Sequence, residues 1–584
     1  MLLTWTVMDG QREVLCRRAR PCGSGRPRAV RPISGVFCSV WPLARALPAE
    51  AEGRVALRAP PRESAMGCGA SSAQPRGSSQ LLPPAARAGA RAADGAPAAP
   101  ASPAAVGDAT DSLTATAVAT PAAAPAPSNA PDFSTLGVSL RLRFAWYFPA
   151  VGSQGSYPHA PNHDAPLLMW LQGGPGGSSM FGLFVELGPF RVTASNELEP
   201  MPHTWCDDKY SCLFIDNPVG AGFSYTTADD GYCEDTKVCV SRNLWNLLQQ
   251  WYTVFPEWLD QDLYITGESY AGHYVPGIGA FIDEMNDNAT ESGNLVLPLA
   301  GVAIGDGWVD PVEMVRGYAD LFTGFSLANL DQRTRIETYQ DTMLEAILEG
   351  RMYDAFCTWD EFLNGDVYQY QSYFTNITGS TNYDNLARTS TPPEFSRYAG
   401  FLARPDVRRA IHVGNATFND GSACERHLLA DFMVSLKPQL ARLMDRGYAV
   451  IVYSGQLDII VASPLTERYL PTIPWSGSEE LAAATKMPWR VSPDDGEVAG
   501  FVQAARTFTR AVVRSAGHIL PFDQPRAARD MLGRWVAGEA PFAARAPRPQ
   551  PKPRARHDPL TSGASGDGAA PAARLRRAGV AQPL

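Results

Sequence analysis

Asp262-Leu-Tyr-Ile-Thr-Gly-Glu-Ser-Tyr-Ala-Gly272 runs from an apolar, strand-like segment into a serine set between small residues, and then into a stretch of helical character. A strand that turns sharply into a helix leaves little room at the bend, so Gly267 and Ala271 must be small for the backbone to pass Ser269. A serine on such a bend is presented as a nucleophile. The string G-x-S-x-A is common on its own, and its weight comes from the strand before it, the helix after it and partners elsewhere in the chain.

A hydroxyl nucleophile needs a base, and the chain holds eight histidines. His159, His163 and His203 precede the serine, and His273 follows it too closely to come from a separate loop. His412 and His427 precede the best acid, and His557 sits in a Pro/Arg-rich tail. His518 remains, in Ala511-Val-Val-Arg-Ser-Ala-Gly-His-Ile-Leu-Pro521, a β-branched run that opens into a loop. Asp458 ends Ala449-Val-Ile-Val-Tyr-Ser-Gly-Gln-Leu-Asp458, again a buried-strand pattern running into a turn. Each residue taken singly is more often structural. Three strand ends in the order Ser, Asp, His match the triad order of α/β-hydrolases.

Leu167-Leu-Met-Trp-Leu-Gln-Gly-Gly-Pro-Gly-Gly-Ser-Ser179 is a strand that breaks into four glycines around a proline. Such a loop leaves backbone N–H groups uncovered, as an oxyanion hole requires. No Gly-Lys-Ser/Thr follows, which disfavours a phosphate-binding loop.

Trp170-Leu-Gln-Gly-Gly-Pro-Gly-Gly-Ser-Ser179, Glu186-Leu-Gly-Pro189, Ile215-Asp-Asn-Pro-Val-Gly-Ala-Gly-Phe-Ser-Tyr225, Gly267-Glu-Ser-Tyr-Ala-Gly272 and Gly517-His-Ile-Leu-Pro-Phe-Asp523 together resemble the serine carboxypeptidase family. Gln172 and Gly177, with Ala410-Ile-His-Val-Gly-Asn415 and Gly455-Gln-Leu-Asp-Ile-Ile-Val461, look most like its vitellogenic carboxypeptidase-like branch. The resemblance spans about 144 to 535. It implies Ser269 as nucleophile, His518 as base, Asp458 as its orienter, and Gly174 with Tyr270 as oxyanion donors. It puts Trp170, Gln172, Glu186 and Glu268 around the substrate's terminal carboxylate. Many family members carry Asn and Cys where this chain has Gln172 and Gly177, and the missing cysteine removes a bridge that often ties this loop to the cap. The implied function is that of a serine-type carboxypeptidase acting on peptide or protein C-termini at acidic pH through an acyl-enzyme. The alternatives are an acyltransferase of the same fold and a non-enzymatic protective partner protein.

The expected architecture is α/β: an α/β-hydrolase fold with a mostly parallel sheet, a helical cap insertion and disordered ends. Strand-like and helical segments alternate through 165–311 and 400–540, whereas 312–391 carries helical stretches such as Asp331-Gln-Arg-Thr-Arg-Ile-Glu337 and Met343-Leu-Glu-Ala-Ile-Leu-Glu349. The expected divisions are a disordered Ala/Pro/Arg-rich extension over 1–130, core over 131–311, cap over 312–399, core over 400–545, and a disordered basic tail over 546–584. Both ends are poor in core-forming residues and net positive, so the formal charge of −10 conceals a more acidic body. An acidic body argues against nucleic acid as a partner. No run of about eighteen apolar residues occurs, and no transmembrane helix is expected. No His/Cys spacing resembles a zinc site, and no metal or cofactor is expected.

Six cysteines of the body (Cys206, Cys212, Cys233, Cys239, Cys357, Cys424) are consistent with disulfides, the spacings 206/212 and 233/239 allowing small loops without settling a pairing. Asn288, Asn376 and Asn415 begin glycosylation sequons. They matter if the chain enters the secretory pathway, which is the expected route to a lysosomal, vacuolar or extracellular site. The leader for that route is Ile33-Ser-Gly-Val-Phe-Cys-Ser-Val-Trp41, ahead of Ala49-Glu-Ala51. Met66-Gly-Cys-Gly-Ala-Ser71 reads as an acylation site only for a chain started at Met66.

Overall fold

The computed structural model describes residues 164–543 apart from 229, 366 and 368–370, residues 547–550, and the strand segments Leu2–Thr6, Val40–Trp41, Arg141–Leu142 and Phe144–Phe148. The rest of the N-terminal extension, the tail beyond 550, and most of the leader and acylation motifs lie outside the described residues.

The body is built on nine strands: β1 Phe144–Phe148, β2 Leu167–Leu171, β3 Ser211–Ile215, β4 Leu263–Glu268, β5 Leu299–Gly305, β6 Ala449–Gly455, β7 Met487–Trp489, β8 Gly500–Ala505 and β9 Phe508–Val513. Their order across the sheet is β7-β8-β9-β6-β5-β4-β2-β3-β1, and Leu2–Thr6 and Val40–Trp41 continue it past β1. The six strands from β9 to β3 are parallel, and β7, β8 and β1 are antiparallel flanks. Strands covered on both faces need apolar residues at every position rather than alternation. Accordingly β2, β4, β5 and β9 are buried throughout.

Helices cover both faces. Ser241–Val254 (α1), Ala271–Ser292 (α2) and Lys437–Arg446 (α6) bury Leu248, Ile278 and Leu443 against one face, and Pro525–Ala537 (α7) buries Met531, Leu532 and Trp535 against the other. Helix α2, which follows Ser269, is pinned to its neighbour by the buried Asp283, which accepts from Arg442 at 2.8 Å, Arg446 at 2.8 Å and the Tyr448 hydroxyl at 2.9 Å. Removing one partner from such a cluster leaves a buried charge uncompensated.

The cap fills the connection between β5 and β6. Its two helical stretches expected at 331–337 and 343–349 merge into one helix, α3 (Leu330–Leu348), because Asn329 and Gln332 close a capping box and no breaker follows. Next come α4 (Met352–Phe362) and α5 (Glu394–Ala403). Helices continue through Pro405–Ala410 and Ser422–Leu428, past the expected boundary at 399, and the main sheet resumes only at β6. Ile336, Met343, Phe356 and Phe362 join the same apolar cluster as α1 and α2, so the cap shares the core's packing. At the other end Arg548, inside the stretch expected as tail, pairs with Asp262 at 2.8 Å.

Candidate active site

The parallel strands deliver the site. Loops leaving the C-terminal ends of β2, β4, β6 and β9 carry Gly173–Gly177, Ser269, Asp458 and His518, the edge at which open α/β sheets bind ligands. Ser269 lies at φ +62°, a left-handed conformation unfavourable for a side chain. Three backbone bonds hold it there: its N–H to Gly305 O at 3.0 Å, and its carbonyl accepting from Gly272 N at 2.9 Å and Trp308 N at 3.0 Å.

Small residues at the bend are required by contact. A methyl group on Gly267 would stand 2.5 Å from Leu171 O and 2.7 Å from Ala271 Cβ. The glycine loop closes on the same bend, since a methyl on Gly173 would lie 2.6 Å from Ser269 Cβ and 2.7 Å from Tyr270 N. Gly173→Ala is therefore expected to push the loop off the elbow. It should destabilise the fold by about 1–3 kcal/mol, the usual cost of overpacking, and cut turnover more than it lowers the melting temperature would suggest, measured by thermal melts beside kinetics.

Behind the serine, His518 Nδ1 meets Asp458 Oδ2 at 3.0 Å, and both side chains are buried. Nδ1–H donating to the carboxylate leaves Nε2 as the basic nitrogen. Asp458 Oδ1 accepts from Val461 N at 3.1 Å, and His518 N donates to Asp384 O at 2.6 Å, so both groups are oriented by backbone. Burial lowers the basicity of His518, but Asp458, with Asp384 and Glu186 beyond it, outweighs this and raises it above the ordinary histidine value. His273, set aside on sequence grounds, has its ring between the carbonyls of Trp308 at 2.6 Å and Asp431 at 3.0 Å and packs the helix behind the elbow.

A second cluster lies beside Ser269. Trp170 Nε1 donates to Gln172 Oε1 at 2.9 Å, and Gln172 Nε2 donates to Glu268 Oε1 at 2.9 Å. Glu186 and Glu268 are almost entirely buried, and both oxygens of Glu186 and Oε2 of Glu268 are sealed from water with no donor. Burial raises both carboxyls, Glu186 to about 7, and the charge of Glu186 raises Glu268 further, well above the carboxylate range. Two adjacent carboxyls in this state hold a proton in mild acid.

A family model described as serine carboxypeptidase matches residues 144–538. The chain belongs to the serine carboxypeptidase family. Its relatives include the human protein named "Probable serine carboxypeptidase CPVL", 44% identical over 398 residues that make up 68% of this chain and 80% of that one. The vitellogenic carboxypeptidase of Aedes aegypti is 34% identical, covering 67% and 79%. Among solved structures, the prohormone-processing carboxypeptidase Kex1 of Saccharomyces cerevisiae shares the fold, with a TM-score of 0.55 at 23% identity over 70% of this chain and 89% of that one. The chain is thus a serine-type carboxypeptidase with an α/β-hydrolase fold.

Within this serine carboxypeptidase, Ser269, His518, Gly174, Tyr270, Gln172 and Glu268 all line one open cavity of about 390 Å³. Glu186 and Trp170 stand behind its wall, buried. The longer amide of Gln172 reaches Glu268 and Trp170 together, and Gly177 closes a turn by donating to Gly173 O at 2.9 Å. The disulfides among the described residues are Cys206–Cys212 and Cys233–Cys239, the two short loops. Asn376 and Asn415 are exposed, and Asn288 is half-buried on α2.

Several supporting carboxyls escaped the sequence reading. Asp216 takes the Ser178 hydroxyl at 2.5 Å and Phe223 N at 2.9 Å, tying the glycine loop to β3. Asp431 accepts from the Tyr270 hydroxyl at 2.7 Å and the Thr236 hydroxyl at 2.5 Å, fixing the residue after Ser269. Asp523 accepts from Gly517 N at 2.8 Å and steadies the histidine loop, which the acidic end of Gly517-His-Ile-Leu-Pro-Phe-Asp523 could have signalled. Asp306 follows β5 and sits behind Asp458.

Proposed function

We propose that Ser269, His518 and Asp458 form the catalytic triad and that Gln172, Glu186 and Glu268, with Trp170 behind them, receive the terminal carboxylate of the peptide. The buried His518–Asp458 pair at 3.0 Å, opening on the cavity that also holds Ser269 on its strained bend, supports this most directly. His518 Nε2 takes the Ser269 proton as Oγ bonds to the last peptide carbonyl. Backbone N–H groups of Gly174 and Tyr270 hold the resulting oxyanion. Collapse breaks the C–N bond, and the proton passes from His518 to the departing amine. Water then attacks the acyl-enzyme with His518 as base again, releasing the shortened peptide and free Ser269.

The reading is tested by fluorophosphonate labelling followed by hydrolysis of a blocked dipeptide. Labelling with release of the free amino acid supports it. Labelling with transfer to an added alcohol in place of hydrolysis would make the chain an acyltransferase, and absence of both would leave a non-enzymatic partner role.

The catalytic body proposed here runs from 131 to just past Arg548. Removing about 120 residues from the front and 35 from the back takes away Leu2–Thr6 and Val40–Trp41 beyond β1 but is expected to leave kcat and KM unchanged, because β4 is separated from β1 by β2 and β3 and Arg548 is retained. A fall in kcat/KM of either truncated form would show that an extension contributes to the site. The two disulfides suit an oxidising compartment and so support a secretory route to a lysosomal, vacuolar or extracellular site. No helix among the described residues is long and apolar enough to cross a membrane.

A further inference from the structure

Asp306, the first residue after β5, is fully buried and held at φ +41°. Its N–H donates to Tyr453 O at 2.8 Å, and its Oδ1 accepts from Gly455 N at 2.7 Å. Its other oxygen, Oδ2, is sealed from solvent and meets no donor. One oxygen of Asp306, one of Asp458 and one ring nitrogen of His518 all lie within 4.8 Å of one another.

Two carboxyl groups this close, both buried, cannot both be ionised unless a cation is shared between them. The cation behind them, Arg510, gives its donors elsewhere: Nε to Glu467, Nη1 to Ser454 Oγ and the carbonyls of Ala511 and Val452, and Nη2 to Ser463 Oγ. Asp458 already accepts from His518 Nδ1 and from Val461 N. The proton therefore resides on Asp306, whose Oδ2 then needs an acceptor.

We propose that Asp306 is a positioning residue of the catalytic set, carrying a proton that it directs at the Asp458 carboxylate and so lowering the proton affinity of His518, which extends its neutral, basic form toward lower pH. The inference rests on the assignment of Asp458 and His518 as orienter and base. An ionised carboxylate opposite an imidazole raises the histidine's proton affinity. A hydrogen bond donated into that carboxylate from behind disperses its charge and moderates the rise. An enzyme that needs a neutral His518 in mild acid gains range from this. Burial and the Asp458 charge hold Asp306 well above the usual carboxylate range, consistent with its bearing the proton. The groups facing this cluster are Arg510 from β9, Glu268 from β4, the Tyr453 phenol from β6, and Asp384 beside His518.

The test is the acid limb of kcat/KM against pH, with a blocked dipeptide, for wild type, Asp306→Asn and Asp306→Gly. Both residues accept a positive φ. The asparagine amide mimics the protonated acid, its oxygen still accepting from Gly455 N and its NH₂ still donating to Asp458, whereas glycine removes the donor. The glycine variant is expected to move the acid limb upward by about one pH unit, about a tenfold loss of kcat/KM on the acid side. The asparagine variant is expected to leave the limb in place. A limb unmoved by glycine, or a uniform loss at every pH, would mean a structural role only and overturns the proposal. A limb moved to lower pH in either variant would mean that Asp306 is ionised, and also overturns it. Should the glycine variant fail to give a cooperative thermal melt, Asp306→Ala takes its place as the variant without a donor, judged by the same shift of the acid limb. Failure of the triad assignment shows separately, as hydrolysis surviving Ser269→Ala and His518→Ala, and the proposal falls with it.

Discussion

Replacing Ser269 by alanine lowers turnover by on the order of 10⁴-fold or more and abolishes fluorophosphonate labelling, while the protein still folds. The loss is large because in the proposed mechanism Oγ is the atom that bonds to substrate. The fold survives because the bend is set by Gly267, Gly173 and the backbone bonds of Ser269, none of which uses the hydroxyl. His518→Ala should lose about as much, and the double variant no more than either single one, since the two residues act as a unit. Residual hydrolysis then reports only the oxyanion donors and substrate positioning. Wild-type hydrolysis by Ser269→Ala would sink the assignment.

The second large effect is a rise of KM with pH. An exopeptidase must hold a substrate carboxylate, and the residues assigned to it are acids rather than a cation. A carboxylate can be accepted there only if the Glu186–Glu268 pair supplies a proton, so the binding form is the protonated one. Burial, and for Glu268 the neighbouring Glu186 charge, raise both groups, Glu186 to about 7 and Glu268 well above the carboxylate range, so that proton is present in mild acid and is lost as pH climbs through the range in which the pair titrates. Binding is therefore complete below that range and weakens above it, by about tenfold in KM per pH unit once the pair has lost its proton. Glu268→Gln combined with Glu186→Gln donates at any pH, and its KM should stay flat. Loss of the Glu186 charge also lowers the basicity of His518, so the pH dependence of kcat is followed separately and is expected to move toward lower pH while KM flattens. Equal alkaline loss of affinity in both forms, or tightest wild-type binding above neutrality, would remove the carboxylate-recognition role from this pair.

What the sequence by itself determined is the part of the site written in local backbone demands. A strand needs its apolar run, a bend such as that at Ser269 needs small neighbours, and an open loop needs glycines. Those demands leave marks within ten residues of the functional group, so the triad candidates, the glycine loop and the parallel α/β architecture were legible around Leu263–Gly272, Leu167–Ser179, Ala449–Asp458 and Ala511–Pro521. The wider family resemblance added the residues proposed to bind the substrate's carboxylate, of which Glu186 and Trp170 carry no local signature of that role.

Only the tertiary structure decided which distant groups meet. Asp306 and Asp458 come together because β5 and β6 are hydrogen-bonded neighbours, although their positions lie about 150 residues apart. Asp431 reaches Tyr270 from the short helical turn Asp431–Met433, and Asp216 reaches Ser178 from the end of the next strand. The run of helices that follows 399 was equally hidden, since short helices and an incomplete alternation look alike until the sheet's register is known. The pairing of cysteines 206/212 and 233/239 likewise stayed open until their loops were folded. Local sequence restricts what the backbone can do at each position. Burial, charge pairing and the proton balance of buried acids depend on what packs across the sheet, and that is settled by the whole chain at once.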